Sequence, residues 1–161
     1  MTWFQEASMS AMCCAITNTQ ASSSDIRRES ELFRAAQLEL DRHKWFLSEK
    51  AGCDLGQAAI KNWKCKHWWS WCRARLVEHL SGTKYWSELD QHDYDLINRE
   101  FHPNRKLVEA IFERVKMGGH YGENLGIILW AQAAGHNMKE VDEILKLIDI
   151  NSKRLEFFLD L

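Results

Sequence analysis

The sequence predicts an all-α protein, and three observations support this fold class. The 161 residues include one proline, so long stretches can stay helical without interruption. Four valines and four threonines leave few of the β-branched residues that favour a large sheet. Apolar residues recur at helical spacing between N-cap residues and glycines. We therefore expect a single-domain helical bundle of about six helices over residues 25–161, preceded by a flexible tail over residues 1–24.

The first helix is expected to begin at a cluster of N-cap residues, Ser22 to Asp25, and to end near Gly52. An apolar stripe follows this segment at helical spacing and comprises Ile26, Phe33, Ala36, Leu40, His43 and Leu47. The helix is therefore predicted to be amphipathic, with Leu40 buried in a core.

The second helix is expected to run without a break from Asp54 to about Leu80. Asp54 and Gln57 are spaced as a capping box, and Gly82 follows the predicted end. The predicted core positions of this helix are Ala58, Cys65, Trp69, Cys72 and Leu76.

Four shorter helices should complete the bundle, because each has a start or stop signal. Asp90 can cap the first of them, which must end before Pro103. The next two are expected over residues 104–117 and 122–134, each followed by glycine. Asn137 and Glu140 form an N-cap pair for the last helix, which is expected to reach about Leu159.

Charge is distributed unevenly, although the formal net charge is only −2. Residues 42–76 carry +6, between segments of −3 (residues 1–41) and −5 (residues 77–161). A positive segment attracts phosphate or an acidic protein surface. Alternatively, the acidic segments fold against it and neutralise it within the bundle.

The cysteines and the N-terminal residues predict a cytoplasmic protein. The five cysteines form no Cys-x-x-Cys motif and cannot all pair; they are Cys13, Cys14, Cys53, Cys65 and Cys72. The N-terminus has no positively charged start, so we expect no secretory signal. Apolar runs fall short of the ~20 residues of a membrane-spanning helix, so we expect no membrane partner.

The most unusual stretch is residues 61–75, KNWKCKHWWSWCRAR, which combines cations with tryptophans. On one continuous helix, a single face would hold Lys61, Lys64, Trp68, Trp71 and Arg75. Exposed indoles and cations dominate protein interfaces, and they also hold single-stranded nucleic acid by stacking and phosphate attraction. Alternatively, this helix is buried among others, and its Lys and Arg stems lie over indoles in cation–π contacts.

A second group of candidate residues is polar and consists of Glu39, His43 and His67. Glu39 and His43 are four residues apart and share a helix face. Such a group could form the site of a small enzyme or a sensor. However, the sequence contains no His-x-x-x-His or Glu-x-x-His pair and no nucleotide-binding glycine motif. We therefore expect no metal ligands, no cofactor and no catalytic residue.

Residues 43–59 are predicted to turn from the first helix into the second. Gly52 would end one helix, Asp54 would cap the next, and Ser48 would bond across the corner. The pattern H-K-W-x-x-S-E-K-A-G-x-D-x-G-x-x-A, from His43 to Ala59, resembles a segment of uncharacterised bacterial domains of unknown function. The resemblance implies a bacterial origin and a shared structural corner, and it assigns no catalytic role.

We interpret the chain as a non-enzymatic helical binding module, a regulatory or accessory protein whose partner is another protein or a second copy of itself. The first alternative is a nucleic-acid-binding module that uses the Lys/Arg/Trp face of residues 61–75. The second alternative is a small enzyme, or a metal or ligand sensor, at the His/Glu site.

Overall fold

The structure is a computed structural model that describes residues 30–100 and 104–157. These residues form seven α-helices and no β-strand, which confirms the all-α prediction. In chain order the helices are α1 Glu31–Ala51, α2 Gly56–Lys66, α3 Trp68–Leu80, α4 Leu96–Glu100, α5 Arg105–Met117, α6 Asn124–Ala133 and α7 Met138–Ile148. Within the described ranges, none of these helices combines the length with the apolar character that crossing a bilayer requires. Residues 1–24, where a flexible tail is predicted, lie outside the described residues.

Helix α1 begins after Ser30, which caps it. The Ser30 hydroxyl oxygen accepts a hydrogen bond from the Phe33 N–H at 3.3 Å. The Glu88 carboxylate accepts another from the Leu32 N–H at 3.1 Å. Both bonds satisfy amide groups that lack a partner in the first helical turn. The predicted start, Ser22 to Asp25, lies outside the described residues.

The predicted corner between the first two helices is present, with one change. Gly52 ends α1 in the left-handed conformation (φ 69°, ψ 15°), which glycine adopts without steric cost. The Ser48 hydroxyl oxygen accepts from the Leu55 N–H at 3.2 Å across the corner. The prediction that Asp54 caps the second helix is wrong, because Leu55 is the N-cap residue. Asp54 instead closes a local turn by accepting from the Gly56 N–H at 2.9 Å.

The predicted second helix is in fact two helices, because it is interrupted at His67. His67 takes φ −121° and ψ −27°, and the Ser70 hydroxyl donates to its carbonyl oxygen at 2.9 Å. The interruption lets Trp63 and Trp68 enter the same core, with ring centroids 5.8 Å apart. On one continuous helix, residues five apart point about 140° away from each other and would not share a core. The interruption accounts for one helix more than expected.

Two apolar cores hold the helices together, and α3 contributes to both. The larger core joins the second half of α3 to the helices that follow it, and its fully buried members include Leu80, Ile111, Ile127 and Ile144. The smaller core joins α1, α2 and the first half of α3, and its buried members are Ala36, Leu40, Trp63, Trp68 and Cys72. Helix α3 therefore connects the two cores.

Part of the predicted core stripe of the second helix lies on the surface. Three of its members are exposed, namely Ala58, Cys65 and Trp69. Cys72 and Leu76 are buried as predicted, while Ala59 and Trp63 take the buried positions in α2. The prediction fails because it carries one helical phase through the interruption at His67.

The last helix is shorter than predicted. Asn137 caps α7 as expected, with its side-chain oxygen accepting a backbone N–H two residues further on at 3.1 Å. The helix ends at Ile148, where Asp149 adopts the left-handed conformation (φ 43°), and does not reach the expected end near Leu159. The segment after α7 then packs on α3, since the Leu155 carbonyl oxygen accepts from the Trp68 indole N–H at 3.2 Å.

A buried histidine ties the loop after α3 to the helix. The Nδ1 atom of His79 accepts from the Trp86 N–H at 3.0 Å, and its Nε2 lies 3.0 Å from the Asp90 carbonyl oxygen. Because a backbone N–H donates and a carbonyl accepts, the ring is held in the neutral tautomer with its proton on Nε2. Both His79 and Trp86 are buried, so this polar network is part of the fold.

We expect Leu40→Ala to lower the free energy of unfolding by about 2–5 kcal/mol, the usual cost of truncating a buried aliphatic side chain. Leu40 is 1% exposed, whereas Leu125 on α6 is 67% exposed. Leu125→Ala is therefore a matched control that should change stability by less than about 0.5 kcal/mol. Urea unfolding followed by circular dichroism measures both. Equal effects of the two substitutions would show that α1 does not pack through Leu40.

Candidate functional site

The face predicted for binding in residues 61–75 is largely covered. Lys61 is exposed, Lys64, Trp71 and Arg75 are partly buried, and Trp68 is only 1% exposed. Trp68 is covered because the segment after α7 packs on α3, where the Phe157 ring lies edge-on to it at 5.2 Å. The Lys64 ammonium lies 4.9 Å from the centroid of the same ring. The prediction of Trp68 as a surface contact is therefore wrong.

Trp71 and Arg75 take part in packing contacts. The Trp71 ring stacks on Trp68, with centroids 5.8 Å apart and planes inclined by 12°. The Arg75 guanidinium lies 5.2 Å from the Trp71 ring centroid and 5.8 Å from that of Trp86. It also pairs with Glu78 at 2.9 Å. For these residues the cation–π alternative describes the structure.

The three polar candidates meet in one cleft, which we call the histidine cleft. Its volume is about 610 Å³. Glu39 and His43 reach it from α1, and His67 reaches it from the junction between α2 and α3. The other lining residues are Arg42, Trp45, Phe46, Trp63, Ser70, Trp71 and Lys116. The cleft thus offers aromatic surface, hydrogen-bonding groups and charge.

Two histidine rings lie side by side in this cleft. The ring centroids of His43 and His67 are 4.9 Å apart, and the ring planes are inclined by 63°. The Nε2 atom of His43 lies 3.1 Å from the side-chain oxygen of Asn62. Because an amide oxygen only accepts, Nε2 is the donor in this bond. Asn62 therefore fixes the orientation of His43, while Glu39 pairs with Arg42 at 3.0 Å.

The pKa of His67 is lowered from its ordinary value of 6.5. Partial burial is the largest cause, because it disfavours the charged ring, and repulsion from His43 and Lys66 acts in the same direction. His67 is therefore neutral near neutral pH and can both donate and accept a hydrogen bond.

A second cleft lies at the corner between α1 and α2, and we call it the corner cleft. Its volume is about 570 Å³, and Trp45 borders both clefts. The charged residues that line the corner cleft are Asp41, Lys44, Glu49 and Asp54. Among the residues that line the histidine cleft, Arg42 and Lys116 outnumber the one carboxylate, Glu39, while Lys116 also pairs with Glu113 at 2.9 Å. Trp45 therefore lies between a cleft lined by an excess of one basic residue, the basic cleft, and one lined by an excess of acidic residues, the acidic cleft.

Sequence reasoning missed the exposed apolar side of α1, which we call the Trp45 ridge. It consists of Leu38 and Trp45, seven residues apart on one side of the helix, with Phe46 beside them. These side chains are 69%, 65% and 59% exposed, respectively. The sequence does contain a signal for this exposure. None of the three residues falls on the predicted apolar stripe of the first helix, so the stripe does not place them in the core.

Metal-binding side chains are not grouped in the described part of the chain. Among these residues, no group of three His, Cys, Asp or Glu side chains is placed to hold a metal ion. Burial raises the pKa of the Cys72 thiol to about 12, so almost no thiolate forms there near neutral pH.

No family model, curated protein or solved structure matched the chain. The resemblance of residues 43–59 to bacterial domains of unknown function therefore stays a prediction.

We expect His43→Asn to raise the pKa of His67 but to leave it below 6.5. The substitution removes the repulsion from His43, whereas burial, the larger cause, remains. Titration of the ring Cε1–H signals by NMR between about pH 5 and 8 measures the pKa. An unchanged His67 pKa would show that the two rings do not interact.

The lowered pKa of His67 also determines the direction in which the stability of the folded protein changes with pH. The folded protein binds fewer protons at His67 than the unfolded chain does, so stability falls as the pH drops from about 6.5 through the folded pKa. His67→Asn should reduce this part of the acid-induced decrease in melting temperature. A larger decrease in the variant would contradict the assigned direction.

We expect N-ethylmaleimide to modify Cys53 and Cys65 in the native protein at about pH 8 and to spare Cys72. Cys53 and Cys65 are exposed, whereas Cys72 is buried and its pKa is about 12. Peptide mass spectrometry measures the modification, and urea should make Cys72 reactive. Rapid modification of native Cys72 would contradict its place in the smaller core.

Proposed function

We propose that the protein is a non-enzymatic interaction module that pairs with a second copy of itself through the Trp45 ridge. One observation carries the proposal: Trp45 is an exposed indole with a basic cleft on one side and an acidic cleft on the other. Tryptophan is among the residues that contribute most binding energy when an interface buries them.

The position of the ridge on α1 supports burial by a partner. Its three large apolar side chains are each more than half exposed. Leu32, Ala36 and Leu40 face away from the side of the helix that carries Leu38 and Trp45, and they are buried within the chain. Helix α1 is thus fixed by its own core while it presents the ridge outward. Clustered apolar surface of this kind marks interaction sites.

The charges beside the ridge make the surface complementary to itself. Two copies can pair about a two-fold axis that runs through Trp45, perpendicular to the line from one cleft to the other. This axis places the basic cleft of one copy against the acidic cleft of the other. Arg42 of one copy then faces Asp41 and Glu49 of the second. Charges at the rim of an interface set its orientation, and the central apolar side chains supply most of its affinity.

Sedimentation equilibrium tests the pairing. Trp45→Ala should weaken the dimer at least about 30-fold, the equivalent of losing a ~2 kcal/mol interface residue. A double variant, Leu125→Ala with Leu129→Ala, is the matched control, because these side chains of α6 are 67% and 57% exposed. It should leave the dissociation constant unchanged. A wild-type protein that stays monomeric, or a dimer that Trp45→Ala does not weaken, would overturn the proposal.

Charge reversal tests the orientation of the two copies. Arg42→Glu and Glu49→Lys should each weaken self-association, because each variant brings like charges together across the two-fold axis. A mixture of the two variants should associate again, since the altered positions then face each other with opposite charges. A mixture that associates no better than its components would contradict this arrangement.

A second candidate function is a small-ligand sensor at the histidine cleft. In its favour, Glu39, His43 and His67 line one cleft of about 610 Å³, within the range of about 300–1,000 Å³ usual for small-molecule sites. Benzoate, an aromatic carboxylate, is a suitable probe, and its binding should raise the pKa of His67. Ring signals of His43 and His67 that do not respond to benzoate would remove this candidate.

A further inference from the structure

We infer a second binding site, built around Trp69, for a nucleotide unit: one aromatic base with its phosphate. The site is a cavity of about 260 Å³, bounded by residues from α2, α3, the turn after α5 and the segment after α7. Ser70 alone borders both this cavity and the histidine cleft. The inference therefore stands independently of self-association.

Trp69 provides the surface on which a base can stack. The interruption at His67 sends Trp68 into the core and leaves Trp69 43% exposed. The Arg154 guanidinium lies 5.4 Å from the Trp69 ring centroid. Bases of single-stranded nucleic acids stack on exposed aromatic rings and on arginine planes of this kind.

The charge of the cavity favours a phosphate. Lys66, Arg73 and Arg154 line it together with one carboxylate, Glu123, which leaves a net charge of +2. Arg73 is buried and bound to Glu123, so this pair is part of the fold. Across residues 30–100 and 104–157, Lys66 and Arg154 form no ion pair. No carboxylate therefore balances either charge, while the Arg154 guanidinium also makes a cation–π contact with Trp69.

The size of the cavity limits the ligand to a small unit. Its volume of about 260 Å³ is below the ~300 Å³ at which pockets for drug-sized molecules begin. A carboxylate side chain would satisfy the cations but offer no planar ring to the exposed surface of Trp69, whereas a base with its phosphate uses both. A free nucleotide and one residue of a single strand carry this same chemistry, and the experiment separates them.

Fluorescence anisotropy with a labelled oligothymidine of about 12 nucleotides, at about 50 mM salt, tests the site. Trp69→Ala should weaken binding by about 5- to 150-fold, the loss expected for one stacked base. Lys66→Gln with Arg154→Gln should also weaken binding. This double variant should reduce the slope of log affinity against log salt by about 1.4, as expected for two lost contacts to a single strand.

Two variants provide controls outside the cavity. Tyr85→Ala removes an aromatic ring that is 44% exposed, and Lys61→Gln removes an exposed cation from the same sequence segment as Lys66. Both should leave binding unchanged, and melting curves establish that every variant is folded.

Competition by AMP identifies the source of the nucleotide. If AMP competes as well as the unlabelled strand, the ligand is a free nucleotide. If the unlabelled strand binds much more tightly than AMP, the ligand is single-stranded nucleic acid. The inference is overturned if the wild type binds neither probe. It is also overturned if the two cavity variants bind like the wild type, or if the controls weaken binding as much as they do.

Discussion

The structure depends on burying Trp63 and Trp68 in the same core. Residues five apart point about 140° away from each other on an unbroken helix, so the helix has to be interrupted between them. The interruption falls at His67, and the two indoles then pack 5.8 Å apart. The Phe157 ring contacts both, at centroid distances of 6.1 and 5.2 Å. Beyond the interruption, α3 continues into the larger core through Leu76, so this junction also sets how the two cores are joined.

The same interruption shapes both the histidine cleft and the cavity at Trp69. It places His67 beside His43, where the two rings border the histidine cleft. Three neighbouring tryptophans then differ in their surroundings: Trp68 is buried, Trp69 is exposed at the smaller cavity, and Trp71 lines the histidine cleft. A single deviation in the backbone thus separates the buried Trp68 from Trp69, which stays exposed.

Features that depend on nearby residues could be predicted from the sequence, and features that depend on distant ones could not. The C-terminus of α1 at Gly52 and the N-terminus of α7 at Asn137 follow from local capping chemistry. The interruption at His67 has no proline or glycine to mark it, because its cause is tertiary burial. Coverage of Trp68 by Leu155 joins residues 87 apart in sequence, which no local pattern specifies. Residue type marks Glu39, His43 and His67 as polar candidates, and the fold brings them into one cleft.

The cations of residues 42–76 also differ between the helices on either side of His67: some are ion-paired and others are not. The cations of α3 are neutralised within the fold, since Arg73 binds Glu123 and Arg75 pairs with Glu78. The three lysines of α2 form no ion pair within the described residues; they are Lys61, Lys64 and Lys66. Within the same segment, Lys50 of α1 also forms no ion pair with the described residues. Internal neutralisation therefore accounts for α3, while unpaired lysines remain on α1 and α2, and of these Lys66 lines the cavity of Trp69. Lys66 contributes to the positive charge of the site inferred there for a phosphate.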